Sequence, residues 1–366
     1  MTAMGAGWVA WLVSFALTRA LVLLSRRHLD WLGDHDTTGP QKVHRIPVPR
    51  VGGVGVFGGL VAAALWLAAQ ADEAARWAAL LVLAGLPAFL GGIAEDLTKR
   101  ISPRRRLVLT ALSALLAALA GGIVITRTDI PGLDTLVGSA AGAIALTLLA
   151  VSGVANAINL IDGFNGLASM CVTLMLAGLL VVAQQVGDPV VVTLALAGMG
   201  SMLGFFLWNY PSGRIFLGDG GAYFAGYYVA EVGLLLIVRN PQVSPLFPLL
   251  LVAYPVFETL FSMYRRRILK GLPIGRPDGV HLHSLVYRRL VHQVLPVDAV
   301  ETQAARNSMT APYLWALCAL SVGLAVLGWQ DSSWLALGLL CFGAVYVTVY
   351  WRIVRFRAPR WLCVRQ

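Results

Sequence analysis

Five short stretches hold most of the residues able to bind or transfer charged groups. In NAINLIDGFNGL, Asn156, Asn159, Asp162 and Asn165 recur every three residues, a spacing that places them near one helix face. Gly163 and Gly166 between them permit a turn or a close ligand. An inter-helix turn needs fewer polar groups than this, so the string is read as amides and a carboxylate for a sugar or nucleotide. FLGDGG places Asp219 among glycines just before an apolar run. A hard carboxylate oxygen suits Mg²⁺, which takes one or two protein carboxylates and fills its shell with phosphate and water. An N-cap is the structural role the same Asp could play. Phe216, three residues earlier, would stack on a base or anchor at a membrane interface, and its type alone favours neither.

Glu95 and Asp96 are adjacent acids at the end of an apolar run, a placement that opposes a helix dipole and calls for compensating charge. Lys99, Arg100 and Arg104 to Arg106 follow closely enough to supply it. GRPDGVHLH contributes Arg276, His281 and His283; the two histidines lack the further ligands of a zinc site, so phosphate binding is the better reading. The string from Asp34 contributes Lys42, His44 and Arg50, stiffened by Pro47 and Pro49 and opened by Gly52 and Gly53. It suits phosphate and an anionic lipid surface equally. Together these groups suit a phosphate-rich soluble substrate meeting a lipid-borne one, since phosphoryl transfer is mostly positioning and charge neutralisation.

The elements that must hold these strings are membrane helices. Of 366 residues, 58% are hydrophobic and 13% charged, and the mean hydropathy is +0.74. A soluble globule carries about twice that charged fraction, which excludes a soluble enzyme, a nucleic-acid binder and a secreted disulfide scaffold. The four cysteines show no metal spacing. Apolar runs at about 5–25, 51–70, 78–94, 107–126, 138–157, 167–186, 190–209, 222–238, 245–263, 311–329 and 333–351 predict eleven transmembrane helices. The fold class is therefore all-α and polytopic, one domain over 1–366, with a long loop at about 264–310. An outside N-terminus puts 24 cations in one set of loops and 3 in the other, with Arg19 near a helix end. All five strings then face the cytosol and the C-terminus lies inside. The acids of the opposite loops, among them Asp129, Asp134 and Asp188, read as solvated charges.

PxPRxGG, the acidic pair, NxxNLxDGxNGL, FLGDxG, PVFET and HxH occur in this order, and the sequence strongly resembles the polyprenyl-phosphate N-acetylhexosamine-1-phosphate transferases. The resemblance covers the first nine helices and the long loop; the last two carry no motif. It implies an eleven-helix fold in the bacterial cytoplasmic membrane with a cytosolic cleft. There undecaprenyl phosphate would attack the β-phosphorus of a UDP-N-acetylhexosamine, releasing UMP and starting a lipid-linked envelope glycan such as O-antigen. It also implies Mg²⁺, or Mn²⁺, at Asp219 with Asn159 near the ion, and Glu95, Asp96 and Asp162 as catalytic acids. Phe216 would lie against uracil, and Arg276, His281 and His283 would hold pyrophosphate. Membrane lipid and a second copy of the chain are the other expected partners.

The chain departs from the commoner pattern at Glu95, at Asn165 and at Ser284. The last two disfavour the muramyl-pentapeptide branch, the nearest alternative. A secondary transporter is the other class that this composition allows. Its mark would be a deep ionisable group such as Glu231, whereas Glu258 lies nearer a helix end.

Overall fold

The computed structural model describes residues 1–25, 48–269, 271, 279–291 and 300–355, the first five of the last stretch by backbone alone. Lys42, His44 and Arg276 lie outside the described residues. The fold is all-helical, with fifteen α-helices among the described residues. They are α1 (Thr2–Ser25), α2 (Gly53–Ala69), α3 (Ala74–Ala84), α4 (Leu86–Thr98), α5 (Pro103–Gly121), α6 (Leu133–Val137), α7 (Ala140–Ile161) and α8 (Leu167–Val186). Then follow α9 (Pro189–Asn209), α10 (Gly218–Arg239), α11 (Leu246–Leu251), α12 (Ala253–Tyr264), α13 (Leu282–Arg289), α14 (Val300–Leu327) and α15 (Ser332–Val354). One π-helical turn, Arg265–Leu269, extends α12.

Seven of these helices are single pieces long and apolar enough to cross a membrane, and the pair α3 and α4, bent by 40° at Gly85, makes an eighth. Three expected crossings take other forms for visible reasons. The 51–70 run becomes α2, of 17 residues. The 107–126 run starts earlier, at Pro103, because Ser102 accepts a hydrogen bond from the Arg105 amide, and so brings three arginines into α5. The 245–263 run divides into α11 and α12 at Val252. The polytopic membrane character stands on the helices that do qualify and on the apolar exterior, where Leu65, Leu83, Leu119, Leu149 and Leu340 are each more than 60% exposed.

Helix α10 is the centre of the molecule. In its spanning window 94% of the residues are buried, against 22% in α1 and in α15. It packs on α2, α4, α7 and α8, and small residues make this possible. A Cβ at Gly53 would collide with the backbone of Gly221, and one at Gly92 with the backbone of Gly220. The backbones of α2 and α4 thereby approach the first turn of α10 directly, the close packing that glycine allows between membrane helices. Gly52 and Gly53 were expected to admit a ligand; what fills that space is Phe205 and Phe216 beside Gly52, and α10 beside Gly53.

The two ends of α10 collect different polar groups. At its N-terminus meet the end of α4, the end of α7 and the starts of α2 and α5. At its C-terminus Arg239 and Asn240 each bond Asp188 at 2.8 Å, and Glu73 lies 3.8 Å from Arg239. Asp188 is 5% exposed and also caps α9 through the Val190 and Val191 amides. At this same end Arg127 bonds the Pro241 and Val243 carbonyls, and Asp134 accepts from Thr128. These acids clasp the connecting loops, where the sequence pattern predicts solvated charges.

Candidate active site

The site is built on the first turn of α10. A helix start leaves backbone N–H groups without partners and carries the positive end of the helix dipole, so it attracts carboxylates. Asp96, on the last turn of α4, accepts from the Asp219 and Gly220 amides, both at 3.0 Å. Asp162 closes α7 within electrostatic reach of the Gly218 backbone, Arg50 and Asp96. Gly218 has φ +76° and no room for a side chain, since a Cβ would strike the Arg50 carbonyl and the Asp96 carboxylate. Only glycine lets these acids close on the helix start.

Asp219 is the second residue of that helix and 8% exposed. Its carboxylate pairs with Arg106, accepts from Asn159 Nδ2 at 3.1 Å, and lies 3.7 Å from the Arg50 guanidinium. Arg50 also lies 3.8 Å from Asp96. Arg104 and Arg105 are exposed while Arg106 turns inward, its guanidinium 5.7 Å from the centre of the Tyr223 ring. Backbone pairing fixes Arg50 in place: Phe216 donates to Pro49, and Gly52 and Gly53 donate to Phe216 and Leu217, at 2.8 to 2.9 Å. Phe216 is thus held by its backbone beside Arg50, with its ring half-buried.

Burial raises the Asp162 carboxyl to about 7; the nearby Asp96 charge adds to the rise, and Arg50 and the Gly218 backbone oppose it. A nearby positive ion relieves such a carboxylate. Among the described residues no three His, Cys, Asp or Glu side chains form a ready metal cluster. Two carboxylates and the Asn159 amide at one helix start nonetheless fit a hard divalent cation, which needs only one or two protein carboxylates when phosphate completes its shell.

The remaining expected residues divide. Asn156 lies one turn before Asn159 on α7, half-buried. Glu95 points away along its own loop, accepting from the Ile101 amide at 2.7 Å. Asn165 is 1% exposed and braces the backbone: its amide N–H donates to Asn307 Oδ1 at 2.7 Å and its Nδ2 to the Pro211 carbonyl at 3.0 Å. His283 packs edge-on against Phe164, 5.4 Å between ring centres, and stacks on His281 at 5.1 Å. Burial pushes the His283 imidazole down to about 3, with His281 adding to the fall and Glu258 opposing it, so His283 is neutral. The HxH pair thereby touches the loop that carries Asp162.

Sequence reasoning missed several groups that hold this loop. Asn209 Oδ1 accepts from the Gly166 amide at 2.5 Å, and Trp315 Nε1 donates to the Gly166 carbonyl at 3.1 Å. Asn307 and Trp315 both stand on α14, a helix without a motif. Arg106 had a signal, since a helix starting at Pro103 separates it in direction from its two neighbours; α14 had none.

The sequence matches the model of glycosyl transferase family 4 over residues 78–237, a stretch that includes Asp96, Arg106, Asp162 and Asp219. It is 31% identical over 276 residues, 75% of each chain, to the probable undecaprenyl-phosphate N-acetylglucosaminyl 1-phosphate transferase of Bacillus subtilis. The chain belongs to glycosyl transferase family 4. Other similar members of the family are the undecaprenyl-phosphate alpha-N-acetylglucosaminyl 1-phosphate transferase of Thermotoga maritima, 28% identical over 77% of this chain and 81% of that one, and the decaprenyl-phosphate N-acetylglucosaminephosphotransferase of Mycobacterium tuberculosis strain H37Rv, 28% identical over 89% and 81%. The family resemblance carried by the motifs is therefore the family to which the whole-chain likeness leads.

Proposed function

We propose that this chain transfers an N-acetylhexosamine 1-phosphate from a UDP-sugar to undecaprenyl phosphate in the bacterial cytoplasmic membrane. A phosphate oxygen of the lipid forms a bond to the β-phosphorus, the bond from that phosphorus to the bridging oxygen breaks, and UMP leaves with the electron pair. The observation that carries the reading is the gathering of Asp96, Asp162, Asp219, Arg50 and Arg106 on one helix start. The names of the similar proteins agree with it.

Two anions must meet for this reaction, so the first task of the site is to quench negative charge. Arg50, Arg106 and the positive end of the α10 dipole do so from the protein. Mg²⁺, or Mn²⁺, held by Asp219 and Asp162 with Asn159 beside it, would add a divalent charge at the pyrophosphate. Arg106, paired with Asp219, is placed to take substrate phosphate as an alternative partner. His281 and His283 border the same loop, and the family resemblance would have them serve the pyrophosphate. Asp96 has both oxygens engaged by α10 amides, so its part is to position the helix start; a phosphate monoester with a second pKa near 6 needs little help to ionise. Asp96→Asn should therefore stay impaired at pH 8.5 as at pH 6, and full recovery at the higher pH with unchanged binding would make Asp96 a base.

In this reading the apolar helices supply eleven crossings, with the N-terminus outside and the site at the cytosolic surface, as the loop cations require. The test is incubation of the purified protein in detergent with Mg²⁺, undecaprenyl phosphate and a panel of UDP-N-acetyl sugars. UMP release dependent on the lipid phosphate supports the transfer and names the donor. Solute uptake in proteoliposomes without UMP release would favour a transporter.

A further inference from the structure

Glu258, in the PVFET string on α12, is 0% exposed and has no part in the chemistry described so far. Its Oε1 accepts from His281 Nδ1 and from the Leu282 amide, both at 3.1 Å, and its Oε2 accepts from the Tyr346 hydroxyl at 2.9 Å. Both carboxylate oxygens are thus satisfied, and every partner is fixed by the fold: His281 and Leu282 open α13, and Tyr346, 0% exposed, stands on α15. On the far side of the His281 ring Nε2 lies 3.3 Å from an Arg266 nitrogen. A guanidinium can only donate, so Nε2 accepts and the proton sits on Nδ1, pointing at Glu258.

We infer that Glu258 is a positioning residue for the transfer: it fixes the ring orientation and the Nδ1–H tautomer of His281, so that Nε2 accepts from Arg266 and steadies that guanidinium for the pyrophosphate of the sugar donor. The inference rests on the proposed transfer for its kinetic half only. A carboxylate on the remote nitrogen of a functional histidine selects the tautomer in this way. Tyr346 extends the chain of contacts to the last helix, which carries no motif. The polar sequence Tyr346, Glu258, His281 therefore gives α15 a role in the site.

Two variants separate positioning from a need for negative charge. Glu258→Leu removes the acceptor, and Glu258→Gln keeps a side-chain oxygen in the Oε1 position without the charge. Each is read by ¹⁵N spectra of histidine-labelled protein, with His281 assigned by His281→Gln, and by the KM for the UDP-sugar against kcat. In Glu258→Leu the His281 signal should leave the Nδ1–H tautomer, and the KM for the donor should rise about 10- to 100-fold, the cost of losing such a second partner. The KM for undecaprenyl phosphate should stay. In Glu258→Gln the tautomer should persist and the donor KM should remain within about threefold of wild type, a difference worth less than 1 kcal/mol. A Gln variant as impaired as Leu, or a Leu variant with wild-type spectrum and KM, overturns the proposal. If the Leu variant does not fold, the Gln variant decides alone by the same two signals. Loss of UMP release from the wild type would defeat the proposed transfer, whereas the ¹⁵N result would still judge the contact.

Discussion

At the scale of single residues, the site is an excess of buried acid balanced by backbone amides and two arginines. The Asp219 carboxylate has Arg50, Arg106 and Asn159 around it. Asp219→Asn removes the charge these groups surround and should lower kcat/KM by about 100-fold or more, as losing one fixed electrostatic partner does elsewhere. Asp162 makes a separate prediction through pH. Its carboxyl is raised from 3.8 to about 7, so the folded chain holds a proton that the unfolded chain releases. That contribution is complete below about pH 4, declines as pH rises, and is gone above 7. In chelator, Asp162→Asn should therefore raise the melting temperature at pH 8 relative to wild type, with the gain shrinking toward pH 4.5. A gain that is equal at both pH values would mean that Asp162 is not held in the protonated form.

At the scale of elements, glycine contacts and one motif-free helix decide the geometry. The backbones of α2 and α4 reach α10 only because Gly53 and Gly92 face Gly221 and Gly220. Gly92→Ala should separate α4 from α10, cost about 1–3 kcal/mol of stability and withdraw Asp96 from its amides, seen as a loss of both Tm and turnover. Gly323→Ala on α14, where nothing lies within 4 Å, is the matched control and should be neutral or slightly stabilising. Asn307→Ala should leave the buried Asn165 amide without its acceptor, costing about 1–3 kcal/mol, and loosen the Asp162 loop, lowering kcat more than it alters substrate affinity. What could be read beforehand follows from what kind of signal each element gives. Asp96, Asp162, Asp219 and Asn159 were legible because polar groups at the end of apolar runs have little structural reason to cluster. Asn165 looked the same in sequence and is a brace, since spacing does not report which way a turn residue faces once Gly166 takes φ +73°. Asn307, Trp315 and Tyr346 were invisible because a lone polar or aromatic residue in an apolar helix carries no pattern.

At the scale of the whole molecule, composition alone made the membrane fold legible, because so few charges cannot coat a soluble globule. The course of individual crossings was less so. Apolar runs locate segments, but breaks such as Gly85 and Val252 depend on what packs beside them. The division of polar groups between the ends of α10 was anticipated from the loops for the site end, and misread at the other, where Asp188, Arg239, Asn240 and Glu73 make a clasp. Twenty residues separate Asp219 from Arg239, about 30 Å of helix, the thickness of a hydrocarbon core. Asp188→Asn should accordingly lower the melting temperature by several degrees and leave kcat/KM unchanged. A matching fall in kcat/KM would show that the two ends are coupled. The account as a whole is tested most directly by UMP release from UDP-N-acetylglucosamine with undecaprenyl phosphate and Mg²⁺, comparing wild type with Asp219→Asn. It expects lipid-dependent UMP from the wild type and almost none from the variant; equal release from both, or release that ignores the lipid phosphate, would contradict a transfer site on the first turn of α10.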